Sequence, residues 1–343
     1  MRRVTIPRAG SYETLLFETV ADPVPRAGEV VVESEAIGVN YADCLVRMGL
    51  YESAKTYVGW PITPGFEVSG RVVALGEGVT DLPVGTRVMA VTRFGGYATH
   101  VVVPRDQVFR VPSTFDAKQA AAFPAVAITA YYALFDLANV RAGWKVLVHS
   151  AGGGVGCSLV QLARIAGCEV VGVVGTPGKV ATVKELGATH VIDKSSVDLW
   201  AEARRFAPGG YDVVLDANGV ETLGQSYRHL TSPGRLVIYG FHTMMPRTGG
   251  RPNWPKVALD YVRTPRFNPL ELTNENKSVL AFNLSYLFER KEILTEAMAK
   301  LLAWVDEGKL RASPVTSFPF DDVAGAHHAI ESGTTVGKLV LVP

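Results

Sequence analysis

Short β-branched runs alternate with turn residues along the first part of the chain, up to about residue 112. The clearest runs cover residues 29–37, 69–75, 86–91 and 97–103. Glycine turns at residues 76–78 and 95–96 separate them. Short strands at this spacing are typical of a compact all-β unit, such as a partly open barrel.

From about residue 118 the pattern changes to helices and strands in turn. An alanine-rich apolar stretch over residues 118–138 predicts a buried pair of helices. The strands predicted next cover residues 145–149, 169–174, 190–193, 211–215 and 235–239, and the first two helices between them cover residues 155–166 and 180–186. Strands and helices that alternate at these lengths indicate βαβ units and a parallel sheet. The chain is therefore predicted to be an α/β protein with a second, β-rich part.

The segment from about residue 242 to 278 breaks this pattern, because its prolines exclude one regular helix. They are Pro246, Pro252, Pro255, Pro265 and Pro269. Beyond it, residues 291–307 predict an amphipathic helix that ends at Gly308, and residues 338–342 predict a last strand.

A length of 343 residues fits two domains. The 34 basic and 33 acidic residues leave a net charge of +1, which provides no long-range field for nucleic acid. The three cysteines follow no metal-binding spacing, and no stretch approaches the roughly 20 apolar residues that span a bilayer. The start of the chain has no apolar run typical of a signal peptide. We expect a soluble, cytoplasmic protein with no nucleic-acid partner.

The strongest local signal is a strand, a turn of small residues and a helix, in that order. The predicted strand at residues 145–149 runs into the sequence Ser-Ala-Gly-Gly-Gly-Val-Gly, and the helix follows. Glycines in such a turn let the backbone approach a diphosphate, and the free N–H groups of the helix N-terminus attract its charge. The residues expected to bind a dinucleotide here are Ala151, Gly153, Gly154, Val155 and Gly156.

The end of the second predicted strand, at residues 173–179, carries no carboxylate to bind a ribose 2′-hydroxyl group. Gly175 and Lys179 lie there instead, and Lys194 follows the third strand. A charge-assisted hydrogen bond from a lysine to a 2′-phosphate contributes roughly 1.5–3 kcal/mol. We therefore expect NADPH rather than NADH. The alternative is that Lys179 only solvates the start of a helix.

Three further segments carry a resemblance to a known family: Gly-Val-Asn-Tyr-Ala-Asp at residues 38–43, Arg-Met-Gly-Leu-Tyr at 47–51 and Pro-Gly-Phe-Glu-Val-Ser-Gly at 64–70. With the glycine turn, they make the chain resemble the medium-chain dehydrogenase/reductase superfamily, in its quinone oxidoreductase branch, over almost its whole length. Residues 128–135, 239–241 and 282–287 look like the vesicle amine transport protein homologues of that branch.

The resemblance implies a GroES-like catalytic domain at residues 1–122 and 280–343 and a Rossmann domain at residues 123–279, with the active site in the cleft. It also implies that relatives commonly form homodimers through the edge of the Rossmann sheet. Six more residues are expected to meet the cofactor: Asn218, Gly240, Phe241, Phe282, Leu284 and Lys338. For Lys338 a surface role stays an open alternative.

Zinc-dependent members of the superfamily have a cysteine and a histidine where this chain has Asn40 and Phe66. Neither side chain replaces a thiolate or imidazole ligand of Zn²⁺. The cysteines of a structural zinc lobe are also missing, because residues 84–112 contain none. The resemblance therefore implies a reductase without a metal, which transfers a hydride to an acceptor that needs no Lewis acid, such as a quinone or an α,β-unsaturated carbonyl.

In this interpretation Asn40 and Tyr51 lie near the nicotinamide and donate hydrogen bonds to the acceptor oxygen as it becomes anionic. The alternatives are a hydrogen-bonded turn residue for Asn40 and a packing residue for Tyr51. Leu45 stands where many quinone reductases carry a tyrosine, so their substrate contacts do not transfer directly.

One pair of charged residues and three histidines are expected to be structural. Asp43 and Arg47 are four residues apart, which favours an ion pair within one helix. His149 is expected in the core, whereas His327 and His328 are expected on a surface helix.

Two functional alternatives stay open. One is a membrane-associated or scaffolding protein with little catalysis, since basic and aromatic residues interleave over residues 247–277. The other is a reductase of crotonyl-type or 2-alkenal substrates rather than quinones.

Overall fold

The computed structural model describes residues 1–343, and the chain forms two compact units. Unit 1 comprises Met1–Ile128, Arg247–Arg251 and Leu284–Pro343. Unit 2 comprises Thr129–Pro246 and Pro252–Asn283.

Fifteen strands form three sheets. In chain order they are β1 (Arg2–Thr5), β2 (Leu16–Thr19), β3 (Glu29–Val39), β4 (Glu67–Leu75), β5 (Arg87–Val91), β6 (His100–Pro104), β7 (Val108–Arg110), β8 (Lys145–Val148), β9 (Glu169–Val174), β10 (His190–Asp193), β11 (Tyr211–Asp216), β12 (Leu230–Ile238), β13 (Lys277–Ala281), β14 (Val315–Pro319) and β15 (Lys338–Val342).

Thirteen α-helices accompany them. They are α1 (Tyr41–Arg47), α2 (Glu52–Tyr57), α3 (Ala117–Ala121), α4 (Pro124–Tyr131), α5 (Gly154–Ile165), α6 (Val180–Glu185), α7 (Leu199–Phe206), α8 (Leu223–Arg228), α9 (Trp254–Arg263), α10 (Pro269–Glu275), α11 (Leu284–Leu287), α12 (Lys291–Asp306) and α13 (Val323–Ser332).

The main sheet of unit 1 has seven strands in the order β14-β15-β3-β4-β5-β7, and β6 also pairs with β3. All pairs are antiparallel except β14 with β15. The long strand β3 carries two register shifts against β4, one between Val31 and Val32 and one between Ser34 and Ala36. Such bulges bend a strand, so β3 is able to pair with β15, β4 and β6. The core consists of the inward-facing valines, isoleucines and leucines of these strands.

The sheet of unit 2 has six strands in the order β10-β9-β8-β11-β12-β13, all of them parallel. Strands β8, β9 and β11 are nearly continuous runs of buried valine and leucine, as expected when helices cover both faces of a parallel sheet. The order reverses between β8 and β11. In doubly wound sheets, ligands bind at the carboxyl ends of the strands beside such a switch point. The α/β prediction, with a β-rich first part and a parallel sheet after it, is confirmed.

The proline-rich segment forms two short helices, α9 and α10, rather than one long helix. Asn253 and Asn268 precede them, and each side chain accepts a hydrogen bond from the backbone of its own first turn. A proline lies in the first turn of each helix, where its missing N–H group costs nothing. No helix of the chain combines the length and the apolar character needed to cross a bilayer.

Candidate functional site

The glycine turn of unit 2 lies between β8 and α5, beside the switch point of the sheet. A Cβ atom on Gly156 would lie 2.2 Å from the carbonyl oxygen of Ser150, so only glycine fits there. A Cβ atom on Gly153 would meet only that same oxygen, at 3.4 Å, so the fold itself tolerates a side chain. Gly153 is the residue before the first turn of α5, where free N–H groups and the helix dipole favour an anion. The space in front of Gly153 therefore suits a phosphate group.

The other residues of unit 2 that the sequence assigns to the cofactor share one edge of the sheet. Each follows the carboxyl end of a parallel strand: Gly175 after β9, Lys194 after β10, Asn218 after β11, Gly240 and Phe241 after β12, and Phe282 after β13. The structure therefore brings them to the edge where the glycine turn lies. Leu284 and Lys338 belong to unit 1 instead.

The two candidate lysines differ in their surroundings. The side chain of Lys179 is buried, and its Cδ atom lies 2.9 Å from the position of a Cβ atom on Gly152. Burial lowers the pKa of its ammonium group. The Lys179 side chain is therefore buried rather than solvated, and its contact with a cofactor stays a prediction. Lys194 is exposed, and its Cε atom lies 3.8 Å from the position of a Cβ atom on Gly175. Lys179 thus lies against the glycine turn, whereas Lys194 reaches over the end of β9.

A buried carboxylate that the sequence analysis missed organises the end of β11. Asp216 Oδ1 accepts hydrogen bonds from the backbone N–H groups of Asn218 at 2.8 Å and Gly219 at 3.2 Å. Its Oδ2 accepts from the hydroxyl groups of Thr222 at 2.7 Å and Ser226 at 2.8 Å. The sequence signal for this residue is an acid at the end of a run of apolar residues. Asp216 fixes the loop that carries Asn218.

The same loop is tied to the glycine turn, because the Ser150 hydroxyl group donates to Asn218 Oδ1 at 2.9 Å. His149 Nε2 lies 3.0 Å from the Ser226 hydroxyl group, and burial lowers the pKa of the imidazole. The prediction of a core histidine is confirmed.

In unit 1, three polar side chains from three elements meet around Asn40, the residue before α1. The Asn40 Nδ2 atom donates to Glu67 Oε1 at 3.0 Å, and Lys338 Nζ donates to Asn40 Oδ1. Lys338 Nζ also lies 2.6 Å from Glu67 Oε1, while Glu67 Oε2 accepts from the backbone N–H of Ala125 at 2.7 Å. We call Asn40, Glu67 and Lys338 the amide triad. Because the Lys338 side chain is only 3% exposed, the surface role is wrong.

Three aromatic rings adjoin the triad through Phe66, the chain neighbour of Glu67. The ring of Phe66 lies 5.7 Å from that of Tyr51 and 5.3 Å from that of Phe94, between centroids. Phe66 is buried, whereas Asn40 and Tyr51 are partly exposed. The structure thus places both predicted catalytic residues around the segment formed by residues 66 and 67.

Asp43 is buried on α1 and binds backbone rather than Arg47. Its Oδ1 accepts from the N–H of Gly65 at 2.9 Å, and its Oδ2 accepts from the N–H of Asn40 at 2.8 Å and from the Tyr97 hydroxyl group at 3.1 Å. Burial raises the pKa of Asp43 to about 7, and these hydrogen bonds and Lys338 oppose the rise. The predicted ion pair between Asp43 and Arg47 is wrong. Asp43 instead joins the two segments that carry Asn40 and Glu67.

Arg47 pairs with the buried face of α13, whereas His328 on the same helix is exposed, as predicted. Arg47 Nη2 lies 2.6 Å from Glu331 Oε1, and its Nη1 lies 2.9 Å from His327 Nδ1. His327 is fully buried, so the prediction of a surface position for it is wrong. The Cys44 sulfur also lies within ligand range of His327 and Glu331. The Arg47 guanidinium group already binds His327 Nδ1 and Glu331 Oε1, so these two atoms are not available to a metal ion. The cluster is therefore a hydrogen-bond network rather than a metal site.

Comparison with known proteins agrees with both units. A family model for the alcohol dehydrogenase GroES-like domain matches residues 26–113, and one for zinc-binding dehydrogenases matches residues 186–341. The human synaptic vesicle membrane protein VAT-1 homolog is 35% identical over 347 residues, which cover 100% of this chain and 86% of that protein. The chain belongs to the medium-chain dehydrogenase/reductase superfamily.

Solved structures of this superfamily share the fold over the whole length. The quinone oxidoreductase of Escherichia coli in complex with NADPH aligns with a TM-score of 0.85 and 27% identity, covering 100% of both chains. The CurK enoyl reductase aligns with a TM-score of 0.86 and 26% identity, covering 99% of this chain and 98% of that one. The resemblance stated from the sequence is confirmed at the level of superfamily and fold.

Proposed function

We propose that this protein is an NADPH-dependent oxidoreductase that transfers a hydride to a quinone or an α,β-unsaturated carbonyl without a metal ion. The observation that carries the proposal is the turn at Gly153. It lies at the N-terminus of α5, beside the switch point of a doubly wound sheet, and no neighbouring atom of the protein requires a glycine there. This is the geometry that binds the diphosphate of a dinucleotide.

The residues at the carboxyl edge of unit 2 fit NADPH. In the proposal, the turn from Ala151 to Gly156 holds the diphosphate, and Lys194 and Lys179 hold the 2′-phosphate. No carboxylate lies at the end of β9 to repel that phosphate. Similarity to a quinone oxidoreductase in complex with NADPH supports the same cofactor. When bound, NADPH supplies the hydride.

The residues of unit 1 do not fit a catalytic zinc ion, although one matching family model is described as zinc-binding. Asn40 and Phe66 are not zinc ligands, and the one carboxylate, Glu67, has the Lys338 ammonium group 2.6 Å away. A fixed positive charge at this distance repels a second cation. We therefore derive no step through a metal.

The acceptor oxygen needs hydrogen-bond donors as it becomes anionic, and unit 1 offers two. The Asn40 amide has a second N–H besides the one that binds Glu67, and Tyr51, whose ring packs against Phe66, carries a phenolic hydroxyl group. A donor held in place before the reaction lowers the barrier more than water does, because it needs no reorganisation. Quinones and enones share a conjugated carbonyl oxygen of this kind. Similarity to both a quinone oxidoreductase and an enoyl reductase supports this substrate class.

The test is oxidation of NADPH by the purified protein with a panel of quinones, enones and alkenals, with NADH in parallel. We expect turnover with at least one conjugated carbonyl, a preference for NADPH, and no loss after treatment with a chelator. If no acceptor in the panel is turned over, the proposal is overturned. Loss of turnover on chelation, restored by zinc, would overturn its metal-free part.

A membrane-surface role is a second candidate, and one observation favours it. The side chains of Trp254, Tyr261 and Val262 on α9 are 62%, 74% and 74% exposed, and Arg263 lies on the same helix. Exposed aromatic and basic residues bind anionic headgroups. This role would be favoured over the reductase if the protein sediments with phosphatidylserine vesicles and turns over no acceptor.

A further inference from the structure

We propose that Lys338 is a positioning residue: its ammonium group takes the place of a cation beside Glu67 and fixes the Asn40 amide so that one N–H points to the acceptor oxygen. This inference rests on the proposed function and assigns Lys338 a role toward the substrate rather than the cofactor.

The hydrogen-bonding capacities within the amide triad determine which way the amide faces. An ammonium group only donates hydrogen bonds, so the Asn40 atom beside Lys338 must be the carbonyl oxygen. A carboxylate only accepts them, so the atom 3.0 Å from Glu67 Oε1 must be the amide nitrogen. A flipped amide would face Lys338 with a donor and Glu67 with an acceptor, so both hydrogen bonds would be lost. In this orientation the amide keeps one N–H beyond the one that binds Glu67, and this N–H is the donor that we assign to the acceptor oxygen.

Strand register brings the three residues together. In the antiparallel pair of β15 and β3, Leu339 faces Val39, so Lys338 and Asn40 are opposite one another at the end of the pair. Glu67 begins β4, on the other side of β3. A Cβ atom on Gly38 would lie 2.4 Å from Glu67 Cγ, so the glycine of β3 makes room for this carboxylate. The triad is thus set by the sheet and not by a mobile loop.

Burial makes this arrangement sensitive to the loss of either charge. The side chains of Lys338 and Glu67 are 3% and 0% exposed. Removal of the lysine alone leaves a buried carboxylate without its counter-charge, which is strongly destabilising. Without Lys338 the Asn40 carbonyl oxygen loses its donor, so the amide is held at one end only, by its hydrogen bond to Glu67, and loosens. We therefore expect the loss of Lys338 to act on catalysis through Asn40.

A double-mutant cycle tests this coupling. We expect K338M to lower kcat roughly 10- to 100-fold through misplacement of the Asn40 amide. The Kd for NADPH, measured separately by fluorescence, is expected to stay unchanged. K338R keeps a donor beside Asn40 and is expected to restore most of the activity. In the N40A background, K338M is expected to have no further effect. K118M, which removes an exposed lysine of the same unit, is the control for loss of charge and is expected to behave as wild type.

Three results in the cycle would overturn the proposal. Equal losses from K338M with and without Asn40 would show that Lys338 acts independently. A weaker Kd for NADPH with kcat retained would make Lys338 a cofactor ligand. Loss of activity in K338R as complete as in K338M would indicate proton donation by the lysine itself.

A second readout needs neither turnover nor cofactor. In protein labelled with ¹⁵N-asparagine, the side-chain signal of Asn40 is identified by its loss in N40A. We expect slow exchange with water of the amide proton that binds Glu67 in the wild type, and faster exchange of that proton in K338M. Where K338M folds poorly, the double variant E67Q/K338M removes both charges and is measured in its place. Identical exchange with and without Lys338 would overturn the proposal. If no acceptor is turned over, the proposed function fails, and this measurement still decides whether the triad fixes the amide.

Discussion

Two glycines three residues apart in the turn after β8 have different reasons to be glycine. Gly156 is required by the fold, because any side chain would collide with the backbone of Ser150. Gly153 has open space before it, so in the proposed function it is glycine because a diphosphate approaches its backbone. The sequence motif gives both positions equal weight, whereas the structure shows that the fold requires a glycine only at Gly156.

This difference predicts opposite effects of two alanine substitutions. G153A is expected to keep the wild-type melting temperature and to weaken NADPH binding by about tenfold or more, equivalent to about 1.4 kcal/mol or more. G156A is expected to unfold at a clearly lower temperature with or without nucleotide. Thermal unfolding and equilibrium titration measure the two effects. A G153A protein that binds NADPH as well as the wild type would remove this turn from the proposed site.

In the proposed function, single residues also decide the preference for NADPH over NADH. K194M removes the exposed lysine above the end of β9 and is expected to weaken NADPH binding by roughly 10- to 150-fold, the equivalent of one charge-assisted hydrogen bond. NADH binding is expected to stay unchanged, because NADH has no 2′-phosphate. K184M, on the exposed face of the neighbouring helix α6, is the matched control. Equal weakening for both nucleotides would contradict the assignment of Lys194.

At the scale of elements, α1 and α13 are joined by Arg47 at the centre of a buried network. The guanidinium group binds His327 and Glu331 of α13 and also donates to the carbonyl of Gly250 at 3.1 Å. An arginine cannot accept a hydrogen bond, so His327 Nδ1 must be the acceptor and Nε2 must carry the proton. Nε2 then donates to the Tyr97 hydroxyl group 3.1 Å away, and Tyr97 donates to Asp43. One arginine therefore sets the direction of hydrogen bonds that end beside Asn40.

Removal of Arg47 is expected to be far more costly than removal of a surface arginine. R47M leaves the buried Glu331 carboxylate without its counter-charge, so we expect a loss of about 3–5 kcal/mol in the free energy of unfolding. R71M breaks the exposed pair of Arg71 with Glu35 and is expected to cost less than about 1 kcal/mol. Urea denaturation measures both. A loss in R47M as small as that in R71M would show that the network adds little to stability.

The network also predicts a dependence of stability on pH. Burial, and then the Arg47 guanidinium group, hold the pKa of His327 well below its usual range. As the pH falls below about 6.5, the unfolded chain takes up a proton that the folded chain does not, so stability is lost. The melting temperature of the wild type relative to H327Q is therefore expected to be highest at neutral to alkaline pH and to fall toward acid. A difference that stays constant over that range would mean that the pKa of His327 is not lowered.

Elements with a local pattern were predictable from the sequence, and long-range pairs were not. Strands β9 and β15 begin and end where the sequence predicts them, because β-branched runs bounded by turn residues determine both ends. The partner of Arg47 could not be predicted. Asp43 is four residues away along the chain and Glu331 is 284 residues away, and only the packing of α13 against α1 decides between them. The burial of His327 follows from the same packing.

At the scale of the whole molecule, the change in pattern near residue 118 was enough to predict two kinds of architecture. That the candidate cofactor residues of unit 2 share one edge was predictable too, because parallel strands bring their carboxyl ends to one edge regardless of the helices between them. The amide triad was not, although Asn40 and Lys338 were both candidates. Their contact depends on the pairing of β15 with β3, which joins the last strand of the chain to one near its beginning. No local pattern carries that information.

The central claim is that a metal-free protein transfers a hydride from NADPH to a conjugated carbonyl. The most direct measurement is the single-turnover rate of NADPH oxidation by chelator-treated protein of verified zinc content, with NADPH carrying either hydrogen or deuterium at both C4 positions of the nicotinamide. We predict oxidation by a quinone or enone in the absence of zinc, slower with deuterium because the C4 bond breaks in the measured step. No oxidation without metal, followed by oxidation once zinc is added, would contradict the account.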